Sequence, residues 1–152
     1  MKTTTALLLM GSLSLAGCAG PGQTVQHFNS GKVLPTGLPF SEAVRVGPTL
    51  HLSGQIGVLP GTVKLAPGGM KEEARQTMEN IRISLEANGD SMSDIVKCTV
   101  MLADMSEWAA FNDIYRTYFK GNFPARSAFG GCQLALGGRL EIEAMAVVTG
   151  AR

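Results

Sequence analysis

Residues 70–102, MKEEARQTMENIRISLEANGDSMSDIVKCTVML, contain a change of hydrophobic period that decides the fold. From Met70 to Asn88 the apolar positions Ala74, Met78, Ile81 and Leu85 step by four, three and four, the stripe of an amphipathic helix, and Gly89 stands where a helix C-cap belongs. Over Ile95–Leu102 the period drops to two. Val96, Cys98, Val100 and Leu102 alternate with Lys97, Thr99 and Met101, which predicts a strand with one strongly apolar face. A helix feeding such a strand is the unit from which helix-on-sheet layers are built.

C-terminal to this unit, Ser106 is placed to cap a second helix with Glu107 in its first turn. Trp108, Phe111, Tyr115 and Tyr118 then recur at three, four and three until Gly121. That aromatic stripe reads as core packed on the sheet rather than as a stacking platform for bases. Ala125–Leu134 and Arg139–Thr149 read as two closing strands, separated by the turn Leu136-Gly137-Gly138. On the N-terminal side, Pro60–Gly69 is a Gly/Pro loop, and Ser41–Val46 and Thr49–Ile56 are β-type runs joined at Gly47-Pro48 as a hairpin. Residues 18–36 read as a tether that carries a lead-in strand near Val25–Asn29. The expected class is α+β, a mixed sheet with two helices on one face. No third helix remains for the other face, so a homo-oligomer is expected.

Composition fits one neutral domain. The 152 residues are 45% hydrophobic and 16% charged, below the ~25% charged typical of globular chains, which excludes a disordered chain. Thirteen basic against 12 acidic residues, with no basic block, give no field to gather a phosphate backbone, so nucleic acid is not an expected partner. The first residues alter these totals. Met1-Lys2, an apolar run over Ala6–Leu15 and then Leu15-Ala16-Gly17-Cys18 have the layout of a secretory signal too short to span a membrane. The tetrapeptide resembles the bacterial lipobox. That reading makes residues 1–17 a signal peptide and Cys18 the lipidated first residue of a 135-residue mature chain, with 12 basic and 12 acidic side chains. Ala19 resembles outer-membrane sorting in Gram-negative bacteria. The expectation is a periplasmic lipoprotein on the outer membrane, held by its lipid anchor. Cys98 and Cys132 read as small buried hydrophobes rather than a disulfide.

Nucleotide, serine-hydrolase and zinc signatures are missing, and His27 and His51 have no patterned partner. The unusual residues gather toward the C-terminus. Arg126 follows Phe123-Pro124-Ala125, where proline pushes the chain extended, so its guanidinium sits at the start of a strand and is placed to grip a carboxylate. Glu141 and Glu143 share a strand face with Met145 and Val147, opposite Ile142, Ala144 and Ala146. Two carboxylates in so apolar a strand must be paired or solvated. They read either as salt bridges across the sheet or a subunit boundary, or as an acid/base pair or water-holding carboxylate beside a substrate-binding arginine.

Five segments, taken in order, resemble a known family: Pro39-Phe40-Ser41-Glu42-Ala43-Val44, Leu52-Ser53-Gly54-Gln55-Ile56, Val96-Lys97-Cys98-Thr99-Val100, Phe123-Pro124-Ala125-Arg126-Ser127 and Leu140-Glu141-Ile142-Glu143-Ala144-Met145-Ala146. They look like the successive signatures of the Rid (reactive intermediate deaminase, YjgF-like) family, with residues 37–152 as the Rid-like domain. The resemblance implies a chorismate-mutase-like fold and a homotrimer around a β-barrel core, with active sites in the clefts between subunits. It implies hydrolysis of 2-imino acids and their enamines, of the 2-iminobutanoate/2-iminopropanoate type, to 2-oxo acids and ammonia, with no metal or organic cofactor. Arg126 matches the arginine that binds the substrate carboxylate and Glu141 the glutamate that orients or activates water. Ser53 and Asn112 match cleft positions, and the backbone at Ser127–Ala128 would face the imine nitrogen. Phe40 stands where the best-known branch has tyrosine, and Ala128 where it often has cysteine. The competing readings are a small-carboxylate receptor that uses Arg126 without turnover, and an endoribonuclease or translation inhibitor, against which the neutral charge argues.

Overall fold

The structure is a computed structural model and describes residues 23–148. The lipobox and Cys18 lie outside the described residues. Six strands form one sheet in the order β1-β2-β3-β6-β4-β5: β1 is Val25–Phe28, β2 Ala43–Val46, β3 Thr49–Ile56, β4 Ile95–Leu102, β5 Ala125–Gly130 and β6 Leu140–Val147. Only β4 and β5 pair in parallel; the other neighbours are antiparallel. Helix α1 spans Met70–Ala87 and α2 spans Trp108–Tyr115. The crossovers β3–α1–β4 and β4–α2–β5 both step toward the β5 edge. The right-handed rule for such connections therefore lays both helices on the same face.

That face is the core. Ala74, Met78, Ile81 and Leu85 of α1 and Phe111 and Ile114 of α2 are buried against Leu50, Leu52, Cys98, Val100, Ile142, Ala144 and Ala146 of the sheet. Along β6, Glu141, Glu143, Met145 and Val147 point the other way, as the alternation predicts, and remain half-buried or exposed. Helix α1 begins without a side-chain cap at Gly69, and Glu72 and Glu73 in its first turn offset the positive end of the helix dipole. Its last residue is followed by Asn88 as the cap, one position before the expected Gly89, which follows it in the left-handed region at φ 80.

Four expectations are corrected. The cap before α2 is Asp104, whose carboxylate accepts from the Ser106 amide. Its acceptor stands two residues earlier than the Ser106 hydroxyl would, so Met105–Glu107 forms a 3-10 turn leading into α2. A second 3-10 turn, Arg116–Tyr118, tightens the C-terminal end. Val96 is 43% exposed because the β4–β6 register shifts between Ile95 and Lys97, and this bulge gives the inward place to Ile95. Strand β5 stops at Gly130 rather than running to Leu134, since Gly131 takes φ 78 and turns the chain off the sheet. Strand β2 starts at Ala43 rather than Ser41 because side chains occupy the polar groups of the two residues before it. Ser53 Oγ donates to the Ser41 carbonyl, Asn29 Oδ1 accepts from the Glu42 amide, and the Glu42 carboxylate accepts from Ser30 and Ser84. Cys98 and Cys132 are free cysteines, the first buried and the second half-buried.

Candidate functional site

Arg126 sits on the edge strand β5 beside Cys98 of β4, on the helix-covered face. Its guanidinium carbon lies 4.6 Å from the ring centre of Tyr115, 4.7 Å from that of Trp108 and 5.6 Å from that of Phe111. Three aromatic faces hold the cation in place without neutralising it, since each ring offers the negative lobe of a quadrupole and no hydrogen-bond acceptor. Among the described residues Arg126 forms no ion pair, so its fork of N–H donors remains available to a ligand. It opens on a cavity of about 520 Å³ lined by Asn112, Tyr115, Arg116, Phe123, Pro124 and Arg126. Behind Arg126, the Tyr115 hydroxyl and the Cys98 thiol are electrostatic neighbours. Burial is the main reason that both are pushed above their ordinary pKa values, so both stay protonated at neutral pH.

Glu141 is on the opposite face, three residues before the Ala144 that pairs with Cys98. The β3–β6 register shifts between Leu52 and Gln55, and this bulge places Gly54 directly under the Glu141 carboxylate. A Cβ on Gly54 would overlap Glu141 Oε1 and stand 2.8 Å from its carboxyl carbon. Burial, and after it the negative Glu143 on the same face, push the Glu141 carboxyl above the usual carboxylate range. A carboxylate held in this way titrates closer to neutrality, where it exchanges protons with water most effectively.

The remaining sequence-derived positions divide between these two places. Asn112 joins Arg126 at the cavity. Ser53 lies in the bulge beside Gly54, its hydroxyl donating to the Ser41 carbonyl at 2.7 Å. Ser127 shares the Glu141 face and accepts a 2.8 Å hydrogen bond from Lys97 Nζ, while Ala128 is exposed further along β5. Phe40 is 47% exposed and borders a small hollow with Leu34, Pro35 and Leu38, away from Arg126. One subunit therefore brings Arg126 and Asn112 together, and Glu141 and Ser53 together, but sets the two groups on opposite faces of the sheet. Sequence reasoning missed the aromatic box around Arg126 and the role of Gly54. The box has a visible signal, since Trp108, Phe111 and Tyr115 lie on one helical stripe, but linking it to Arg126 requires the parallel pairing of β4 with β5.

Residues 32–148 match the family described as "Endoribonuclease L-PSP". The chain belongs to this family. Its relatives there include proteins named 2-iminobutanoate/2-iminopropanoate deaminase. The one from goat is 48% identical over 72% of this chain and 80% of its own length. The human one is 46% identical over 72% of this chain and 80% of its own length. Among solved structures of L-PSP type, RidA from an Antarctic Psychrobacter is 36% identical and aligns over 81% of this chain and 99% of its own, with a TM-score of 0.76. Escherichia coli TdcF with bound serine is 31% identical and aligns over 82% of this chain and 99% of its own, also with a TM-score of 0.76. These likenesses bear out the expected fold class, a YjgF-like mixed sheet carrying two helices. They also correct the expected location. The deaminase relatives at 46–48% identity come from animals such as goat, mouse and human, whose cells have no periplasm, so the assignment to a Gram-negative outer membrane as a periplasmic lipoprotein does not stand.

Proposed function

We propose that this chain hydrolyses 2-imino acids of the 2-iminobutanoate/2-iminopropanoate type to 2-oxo acids and ammonia. The observation that carries the proposal is Arg126, a guanidinium fixed by three aromatic rings, unpaired among the described residues and open to a cavity. The names of the relatives at 46–48% identity support the same reaction. The substrate carboxylate takes two parallel hydrogen bonds from Arg126, and the Asn112 carboxamide borders the same space. This fixes the neighbouring C=N carbon, so that attack by water becomes effectively unimolecular. Glu141 orients the water, takes its proton as the C–O bond forms, and returns that proton to the imine nitrogen. The resulting carbinolamine passes a proton to nitrogen, the C–N bond breaks, and the C–O bond becomes the carbonyl as ammonia leaves. One imine and one water thus give one 2-oxo acid and one ammonia.

Because Arg126 and Glu141 lie on opposite faces of one sheet, the complete site is proposed to form between subunits of a homotrimer. The arginine side of one subunit would meet the Glu141 face of the next, and no helix among the described residues covers that face. Ser53 and the Ser127–Ala128 backbone would line this cleft, with Phe40 at its border. The test uses an amino-acid oxidase to generate imine in situ and measures acceleration of 2-oxo acid release. Arg126→Ala and Glu141→Gln should each abolish the acceleration. After dissociation and co-assembly of the two variants, activity should return at about a quarter of the sites, as random mixing of cyclic trimers requires. Full activity in Arg126→Ala would refute the mechanism, and no recovery on mixing would refute the shared site. If 2-oxo acids stabilise the protein without any turnover, it is a receptor instead.

A further inference from the structure

The cavity in front of Arg126 contains a second guanidinium that the proposed reaction leaves unused. Arg116, in the 3-10 turn that ends α2, lines the same space of about 520 Å³ as Arg126. Its Nε donates to the Asn112 carbonyl at 3.1 Å, which ties the stem of the side chain back to the helix and leaves its terminal NH2 groups for other partners. Among the described residues Arg116 forms no ion pair, although Arg45, Arg75, Arg82 and Arg139 each have a carboxylate partner. Arg116 and Arg126 are thus two unneutralised cations on one cavity. The wall between them is uncharged, made of the Asn112 carboxamide and the apolar surfaces of Tyr115, Phe123 and Pro124.

Two like charges facing one cavity repel each other, and among the described residues no carboxylate pairs with either. A ligand with an anion at each end offsets that repulsion. The cavity lies within the roughly 300–1,000 Å³ of small-molecule sites and is roomy for a three- or four-carbon monocarboxylate. We infer that Arg116 is a specificity-determining residue that binds the distal carboxylate of dicarboxylic 2-imino acids, making the imines of acidic amino acids the preferred substrate class. The inference rests on the imine-hydrolysis reading for its substrate, although it rests on the two guanidinium groups alone for its ligand charge. Arg126 holds the carboxylate next to the C=N carbon, and Arg116 receives the second through its planar fork. The apolar surfaces of Tyr115, Phe123 and Pro124 on the same cavity would face the intervening methylenes.

The test compares 2-iminoglutarate with 2-iminopropanoate, each generated in situ by an oxidase acting on the parent amino acid, and measures kcat/KM for both. Calorimetry of 2-oxoglutarate and pyruvate runs in parallel. A charge-assisted hydrogen bond to a distal carboxylate corresponds to a factor of about ten or more, so the wild-type ratio should favour the dicarboxylic member by at least that much. Arg116→Gln should lower the ratio by the same factor, and Arg116→Lys should recover part of it because a point charge replaces the fork. A wild-type ratio near one, or a ratio unchanged in Arg116→Gln, overturns the inference while leaving imine hydrolysis intact. If neither imine is turned over, the proposed reaction fails. The calorimetric ratio of 2-oxoglutarate to pyruvate, in wild type and in Arg116→Gln, then decides the inference by the same criteria.

Discussion

The most informative single perturbation is Gly54→Ala. The added methyl would overlap Glu141 Oε1 and stand 2.8 Å from the carboxyl carbon and 3.0 Å from Cγ. Each of these atoms belongs to a side chain with rotatable bonds, and Gly54 is not among the glycines in the left-handed region. The backbone therefore accepts alanine, and the clash is relieved by swinging the Glu141 carboxylate aside. Overpacking a rigid core costs about 1–3 kcal/mol, and a contact that yields by rotation should fall at or below the bottom of that range. This corresponds to a few degrees in Tm for a domain of this size. Activity should respond quite differently. A general base moved out of reach forfeits roughly 10²–10⁴-fold in rate, so Gly54→Ala should approach Glu141→Gln in kcat while melting close to wild type. The two substitutions should also be strongly non-additive, since both remove the same positioned group. The assay is 2-oxo acid release from in situ imine, with thermal unfolding of each variant alongside. Wild-type kcat in Gly54→Ala, together with a large loss in Glu141→Gln, would refute the claim that Gly54 sets the position of the carboxylate.

Four other outcomes are expected. The acid limb of the pH–kcat profile should lie above the ordinary glutamate value of 4.5, because burial and Glu143 raise the Glu141 carboxyl and activity is lost as pH falls through its pKa. Glu143→Gln removes the negative neighbour and should move that limb to lower pH; a limb that does not move assigns it to another group. Phe111→Ala empties a fully buried site at the contact of α2 with the sheet and beneath Arg126, and should cost about 3–5 kcal/mol by denaturant unfolding. Val96→Lys should leave stability within about 0.5 kcal/mol, because the bulge already turns this side chain outward, and a loss of several kcal/mol would contradict the register.

Much of this molecule is legible where one element determines its own pattern. Helix α1 and the inward faces of β4 and β6 follow from periodicity, because a side chain's direction repeats faithfully within a regular element. Irregularities escape that logic. The bulge that exposes Val96 and the one that seats Gly54 under Glu141 each insert a residue into a ladder; nothing in IVKCTVML marks the first, and only the glycine within TLHLSGQI hints at the second. The cap of α2 escapes it for a different reason. Asp104 and Ser106 are both good capping residues two positions apart, and only the geometry of the amides chooses between them. The candidate residues Arg126 and Glu141 were identifiable by type and position, yet their separation across the sheet was not. It depends on β5 pairing with β4 rather than with its sequence neighbour β6.

Among the described residues strand β5 holds its place at the sheet edge through β4 alone, and Ala125–Gly130 is largely exposed. The backbone that carries Arg126 can therefore open locally without disturbing the ladders of β3, β6 and β4 that bury the core. Amides of 125–130 should exchange with solvent hydrogen well before those of 140–147. Whatever seals that edge, whether a bound carboxylate or a neighbouring subunit, should slow their exchange while leaving the central strands unchanged. Protection of this one strand would then report occupancy of the arginine side of the site in the absence of any turnover.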